Sequence, residues 1–419
     1  MTYLPRVADT VLRTTLAHVP AVLVEGPKAV GKTSTAMQVA RTTLSMERPE
    51  AVHLLQMNDL NGLGAQEPVL IDEWQKDQLI WSRVRSAVDT DTRAGRFILT
   101  GSVPDVSLHS GAGRIATMRM RPMTLSERQV HGTTASLSAI VRGERPTVSG
   151  HCTLTAADYA KEIERGGFPG LRTLGGDRPH IGLDGYLDRV ITTDFAEAGV
   201  KLRRPQALRS WLRAYAACVS TTTSFEKIRV AVERMVGAAP TKVTALSHVE
   251  VLTRIGVLDP LPAWHPGLNH LGRVGSAPKH HLADPALALR LLGRDSSRLL
   301  TDPGDGIDMI DRPLFGRLFE SLAALSLRTY AQLEHAEVSH FRQHDGRHEI
   351  DFVIEADAGV VAVETKLGGD VTDGDVRHLL WMQDRLGMRM VDAVVLTTGE
   401  FAYRRPDGIA VLPLGLLGP

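Results

Sequence analysis

Gly26-Pro27-Lys28-Ala29-Val30-Gly31-Lys32-Thr33 has the form GxxxxGK[ST], and the apolar run Ala21-Val22-Leu23-Val24 stands directly before it. This order predicts a buried strand, a glycine-rich turn and a helix from Ser34 to Thr42. Such a turn aims backbone N–H groups at phosphate oxygens at the positive end of a helix. In that geometry Gly26, Pro27, Lys28, Ala29, Val30, Gly31 and Ser34 line the phosphates. Lys32 reaches the β- and γ-phosphates of ATP, and the Thr33 hydroxyl ligates Mg²⁺. A structural glycine turn is the competing reading.

Two further runs follow in the order a phosphoryl-transfer site needs. Val69-Leu70-Ile71-Asp72-Glu73 reads as a strand ending in two carboxylates about forty residues after the loop. Asp72 suits Mg²⁺ held through water, and Glu73 suits orientation of the attacking water. A solvated acidic turn has the same composition. Phe97-Ile98-Leu99-Thr100-Gly101-Ser102 is a third short strand ending in hydroxyls, where Thr100 or Ser102 can sense the γ-phosphate; a strand followed by a glycine turn is the plainer alternative.

EGPKAVGKT, LIDEWQ, ILTGS and the later GRIATMRMRPMTLSE together resemble the AAA-type ATPases that carry a nuclease-like C-terminal domain of unknown function. The resemblance spans the chain from about Tyr3 to near Leu412. It implies an N-terminal ATPase domain over residues 1–135. Where that family has Arg after the Gly-Pro of the loop, this chain has Lys28, which keeps the charge but not the bidentate fork. Arg114, in Gly113-Arg114, falls where the family has a Gly-Arg pair, which implies an arginine finger acting in cis or from a neighbouring subunit. A structural salt bridge is the alternative.

At 419 residues the chain is long enough for two or three domains. Hydrophobic residues make 43% and charged residues 23%, as in ordinary globular proteins. Lys+Arg and Asp+Glu both number 48, so bulk charge gives no support to nucleic-acid binding, which local patches can still provide. Cys152 and Cys218 lack metal-type spacing. The first residues lack the apolar core of a signal peptide, and no uninterrupted apolar stretch is long enough to span a membrane, so a cytoplasmic protein with no membrane partner is expected.

Gly132 to Gly150 is rich in Ser, Thr, Gly and Arg and reads as a long loop or linker, opening a second region over 136–275. Gly166-Gly167-Phe168-Pro169-Gly170 reads as a turn and resembles the family's Gly-Gly-aromatic-Pro element. Three helices, Gln206–Cys218, Ser224–Met235 and Thr241–Ile255, precede a short strand at Gly256-Val257-Leu258. That order resembles a winged helix. Its third helix has only Lys242 and Arg254 as cations, so packing or oligomerisation is the stronger reading than DNA contact. Lys279-His280-His281-Leu282-Ala283-Asp284-Pro285 resembles a Lys-aromatic-x-x-Asp-Pro element of the family. Adjacent histidines on a strand face opposite ways, so packing is expected of them rather than a metal.

A second constellation occupies 276–419. Glu320 sits on a predicted helix, Asp351 on the strand His348–Ile354, and Glu364 and Lys366 two apart on the strand Val360–Lys366, hence on one face. With Asp351 on the neighbouring strand, Asp351 and Glu364 would offer hard oxygens to Mg²⁺ and Lys366 would orient water or stabilise phosphate charge. Cross-facing charges on an exposed strand look the same. The order resembles the PD-(D/E)xK nuclease superfamily at Glu320, Asp351, Glu364 and Lys366, which implies an α/β restriction-endonuclease-like domain. Arg342, Gln343, His344 and Arg347 suit a phosphate backbone or a polar hairpin tip, and Gln383 matches a weak helical position.

The expected fold is therefore α/β: a P-loop parallel sheet, a helical winged-helix-like middle and a nuclease-like C-terminus. The expected function is binding and hydrolysis of ATP, coupled to Mg²⁺-dependent phosphodiester cleavage of nucleic acid. The alternative is an ATP-dependent regulatory or DNA- or partner-binding protein with a catalytically silent nuclease-like scaffold. ATP, nucleic acid and further copies of the chain are the candidate partners.

Overall fold

The computed structural model describes residues 3–57, 60–61, 64–77, 79–101, 113–174, 178–200, 205–237, 240–266, 276–300, 311–343 and 345–419. Ser102 and His344 lie outside them.

Five short strands form the first sheet: β1 (Ala21–Glu25), β2 (Thr42–Ser45), β3 (Val69–Asp72), β4 (Phe97–Thr100) and β5 (Ile115–Arg119). All pair in parallel in the order β2-β3-β4-β1-β5. A parallel sheet covered on both faces requires near-continuous apolar strands, which explains the unbroken runs in β1, β3 and β4. Alternation along β1 divides them, with Ala21 and Leu23 in one core and Val22 and Val24 in the other. The helix after the loop is shorter than expected, Lys32–Met37, because Thr42-Thr43, β-branched and extended, already belong to β2.

Residues 132–151 correct the linker reading. β6 (Ala135–Ser136) pairs with β14 (Leu417–Gly418), the segment Leu137–Val141 forms a helix capped by Ser136, and β7 (Gly150–His151) pairs with β12 (Phe401–Arg404). Leu137, Ile140, Val141 and Val148 are buried in the core they share with the C-terminal strands. The polar residues between them hid these apolar anchors.

The predicted middle helices are present as Pro205–Ala217, Phe225–Val236 and Lys242–Arg254. After Gly256 the backbone pairs antiparallel with a later segment through Leu258 with Leu282 and Leu261 with Lys279. Buried ions tie this region to the ATPase side. Arg128 bonds Glu162 and lies 3.7 Å from Asp284, which accepts from Gly167 N–H and caps the helix Pro285–Leu291. A Cβ on Gly167 would come within 2.3 Å of the Met123 carbonyl, so only glycine fits there.

The second sheet has seven strands in the order β7-β12-β13-β11-β10-β9-β8, with β8 at Glu337–Arg342, β9 at Glu349–Ala356, β10 at Gly359–Lys366, β11 at Met390–Thr397 and β13 at Ala410–Pro413. β8, β9 and β10 run antiparallel; the helix Asp373–Leu386 then carries the chain across to β11, parallel to β10. The long helix Asp311–Tyr330 covers one face with Phe319 and Leu322, while Val376, Leu379 and Met382 cover the other.

Candidate active site

The ends of β1, β3 and β4 lie in register, Val24 beside Thr100 and Thr100 beside Asp72, so the loop after β1 faces the acids after β3. The loop itself needs unusual backbone. Gly26 has φ 149° with the Met120 carbonyl 2.3 Å from where its Cβ would stand, and Gly31 has φ 102°. Ala29 and Glu73 also adopt positive φ, a cost that proteins accept chiefly at functional sites.

Lys32 is buried, and its ammonium donates to the carbonyls of Gly26 and Pro27 at 2.8 and 2.9 Å. Burial lowers its pKa to about 8 against the pull of Glu73 and Asp72. Asp72 Oδ1 accepts from both the Thr33 hydroxyl at 2.7 Å and the Thr100 hydroxyl at 2.6 Å. Glu73 is held by Gln75, whose amide donates to its carboxylate at 2.6 Å. Hard oxygens from Thr33 and Asp72, beside a buried ammonium and a glycine-lined loop, suit Mg²⁺ and a polyphosphate. Ser34 is exposed on the first turn of the helix.

Lys28 departs from its expected place among the phosphate contacts. Its ammonium lies 2.7 Å from Asp194 and 2.6 Å from Glu197, carboxylates at and just after a single π-helical turn, Val190–Asp194. Gly256, at φ 79°, packs against the same loop, with Pro27 N 2.8 Å from the position of a Cβ. The helical region thus touches the phosphate loop at two points, neither of which has a local sequence signal.

Arg114 does not reach the loop of its own chain. It precedes β5, whose opposite end, Arg119, is the register partner of Glu25, and it pairs with Asp89 at 2.5 Å. Arg114 thus stands at the end of β5 away from the loop. Arg119, which sequence reasoning passed over, stands at the loop end and donates to Leu258 O. The third middle helix, for which packing or oligomerisation is the stronger expectation, spends a cation internally, since Arg254 donates to Ala198 O.

The C-terminal residues converge around a cation that sequence reasoning gave no role. Glu320, at mid-helix, Asp351 on β9 and Glu364 on β10 are brought together, and Lys279 is buried among them, with Glu320 at 2.8 Å and Asp351 at 3.1 Å. Asp351 Oδ2 accepts from the Thr365 N–H and hydroxyl. Burial tends to raise the Asp351 pKa, but Lys279 and Thr365 more than offset it and hold the carboxyl below its ordinary value. Burial and Asp351 push Glu320 up to about 8 and Glu364 well above the carboxylate range.

Magnesium does not fit this second site as the sequence implied. The Lys279 ammonium occupies the space among these acids, and among the described residues no group of three His, Cys, Asp or Glu is placed to hold a metal ion. Lys366 turns away to Asp375 at 3.3 Å, and Gln383 is exposed on its helix. Arg342 bonds Thr222, Arg347 pairs with Asp345, and the Gln343 backbone N–H bonds His348 O. His280 and His281 are buried and point to Thr223 O and Ser321 respectively, as packing residues.

Residues 18–129 match the family model of an AAA domain, and this part of the chain is an AAA-type P-loop ATPase domain. Residues 156–298 and 315–417 match two domains of unknown function (DUF8612 and DUF4143). The chain is 27% identical over 299 residues to the uncharacterized proteins Rv2008c of Mycobacterium tuberculosis and Mb2031c of Mycobacterium bovis; the match covers 68% of this chain and 58% of theirs. Among solved structures, a Walker-type ATPase of Pyrococcus abyssi aligns at 16% identity over 68% of this chain and 94% of that one, with a TM-score of 0.39, below the level that implies a shared overall arrangement. Among the described residues no helix is long and apolar enough to cross a membrane.

Proposed function

We propose that this chain binds ATP and hydrolyses it to ADP and phosphate, and that its C-terminal domain is a nuclease-derived scaffold that binds without cutting. The observation carrying the first half is Asp72 Oδ1 accepting from Thr33 and Thr100 beside the loop of Lys32. Thr33 and Asp72 would hold Mg²⁺, which neutralises charge on the transferring phosphoryl group. Lys32 binds the β- and γ-oxygens, Glu73 accepts the proton of the attacking water, and Thr100 couples the γ-phosphate position to Asp72. The second half is supported by Lys279 and by the outward-turned Lys366.

The test is ATP turnover with Mg²⁺ by purified protein and by Lys32→Ala, alongside cleavage of single- and double-stranded DNA and RNA with and without ATP. Turnover lost in Lys32→Ala, with no cleavage, is expected. ATP turnover that survives Lys32→Ala overturns the first half, and cleavage lost in Asp351→Ala overturns the second.

A further inference from the structure

Lys279 enters the carboxylate site from outside the sheet that supplies Asp351 and Glu364. Its backbone is fixed by a reciprocal pair of hydrogen bonds with Leu261, both 2.9 Å, and the following residue bonds Thr221 O. The side chain, 1% exposed, ends 2.8 Å from Glu320, 3.1 Å from Asp351 and 3.5 Å from Glu349. An ammonium has three N–H donors, so three carboxylate neighbours can satisfy it fully. A divalent ion on Asp351 would have to stand beside the Lys279 ammonium, 3.1 Å from the same carboxylate, so the two cations repel each other there.

We infer that the Lys279 ammonium is the resident cation of this site, standing in for the divalent ion that the strand-borne acids imply, so that the cluster is held together without metal. The inference rests on reading those acids as a nuclease-derived cation site. It follows that removing Lys279 leaves the buried Asp351 carboxylate without its counter-cation, a costly state that a divalent ion can relieve. The lysine and the metal are alternatives, not companions.

The experiment is Mn²⁺ binding to the full, nucleotide-free chain, followed by electron paramagnetic resonance, with melting temperature measured alongside. Wild type, Asp351→Asn, Lys279→Met and the double variant Lys279→Met/Asp351→Asn are compared. Wild type and Asp351→Asn are expected to bind Mn²⁺ alike. Lys279→Met is expected to melt several degrees lower, to gain one Mn²⁺ site that the double variant lacks, and to recover stability when Mn²⁺ is added. A wild-type site lost in Asp351→Asn overturns the Lys279 assignment while leaving the cation-site reading intact. A folded Lys279→Met that gains no site overturns the reading itself, and the assignment with it. If Lys279→Met does not fold, the double variant, which removes one charge of each sign, is expected to fold; its failure where Asp351→Asn alone folds overturns the counter-cation role.

Discussion

Lys28 Nζ stands 2.7 Å from Asp194 Oδ1, so an ion pair ties the phosphate loop to a buried carboxylate 166 residues further along the chain. Phosphate oxygens entering the loop would compete with Asp194 and Glu197 for that ammonium. We predict that Asp194→Asn/Glu197→Gln binds ATP about threefold to tenfold more tightly, since one tenfold step is about 1.4 kcal/mol and charge-assisted hydrogen bonds are of that order. Titration with a fluorescent ATP analogue checks this. Affinity that is unchanged or weaker would mean the pair is structural only.

In the proposed mechanism Glu73 takes the proton of the attacking water and does not hold the phosphates. Glu73→Gln should therefore lower turnover by about 100-fold or more while leaving the ATP dissociation constant within about twofold. Single-turnover hydrolysis beside equilibrium binding separates the two. A parallel fall in affinity would place Glu73 in ground-state binding instead.

Gly256 has positive φ, and a methyl group there would meet Pro27 N at 2.8 Å. Gly256→Ala should weaken ATP binding by about tenfold although it lies far from the loop in sequence, because the strain displaces backbone that cradles phosphate. Calorimetric titration of the variant is decisive. Wild-type affinity with a lowered melting temperature would show that the contact only stabilises the fold.

Asp259 is fully buried, which by itself raises its pKa, yet Arg121, Arg328 and Arg119 more than reverse this and hold it below the ordinary value of 3.8. Its folded pKa is depressed, so its contribution is present above about pH 4 and is lost as pH falls below that toward the folded value. Asp259→Asn should cost about 3 kcal/mol at pH 7 by leaving guanidinium groups unpaired, and should then lose less stability than wild type on acidification below pH 4. Melting temperatures across pH 3 to 7 for both proteins check the convergence. Curves that stay parallel at low pH would exclude it.

Local pattern made the N-terminal site readable. Loop, Asp72 and Thr100 each end a short apolar strand, and parallel pairing in register brings such ends to one edge. The C-terminal acids were readable for the same reason, since Asp351 and Glu364 lie on adjacent strands joined by a tight turn. What escaped notice depends on distant partners. Lys279 is 72 residues from Asp351 and Asp194 is 166 from Lys28, separations at which periodicity carries no information. One hint was present: a lysine flanked by His280, His281 and Leu282, where an exposed cation would be out of place. The misreading of residues 132–151 has another cause, because two-residue strands are too short to show alternation.

The pairing of β6 with β14 and of β7 with β12 also has a meaning in time. At about 5–20 residues per second, the segment around Ala135 leaves the ribosome tens of seconds before Leu417 is made. During that interval Leu137, Ile140 and Val141 have no partner strands to cover them, while the P-loop sheet upstream is already whole in sequence. Closure of this part of the core therefore waits for the strand at Leu417–Gly418, so the two ends of the chain are completed at different times.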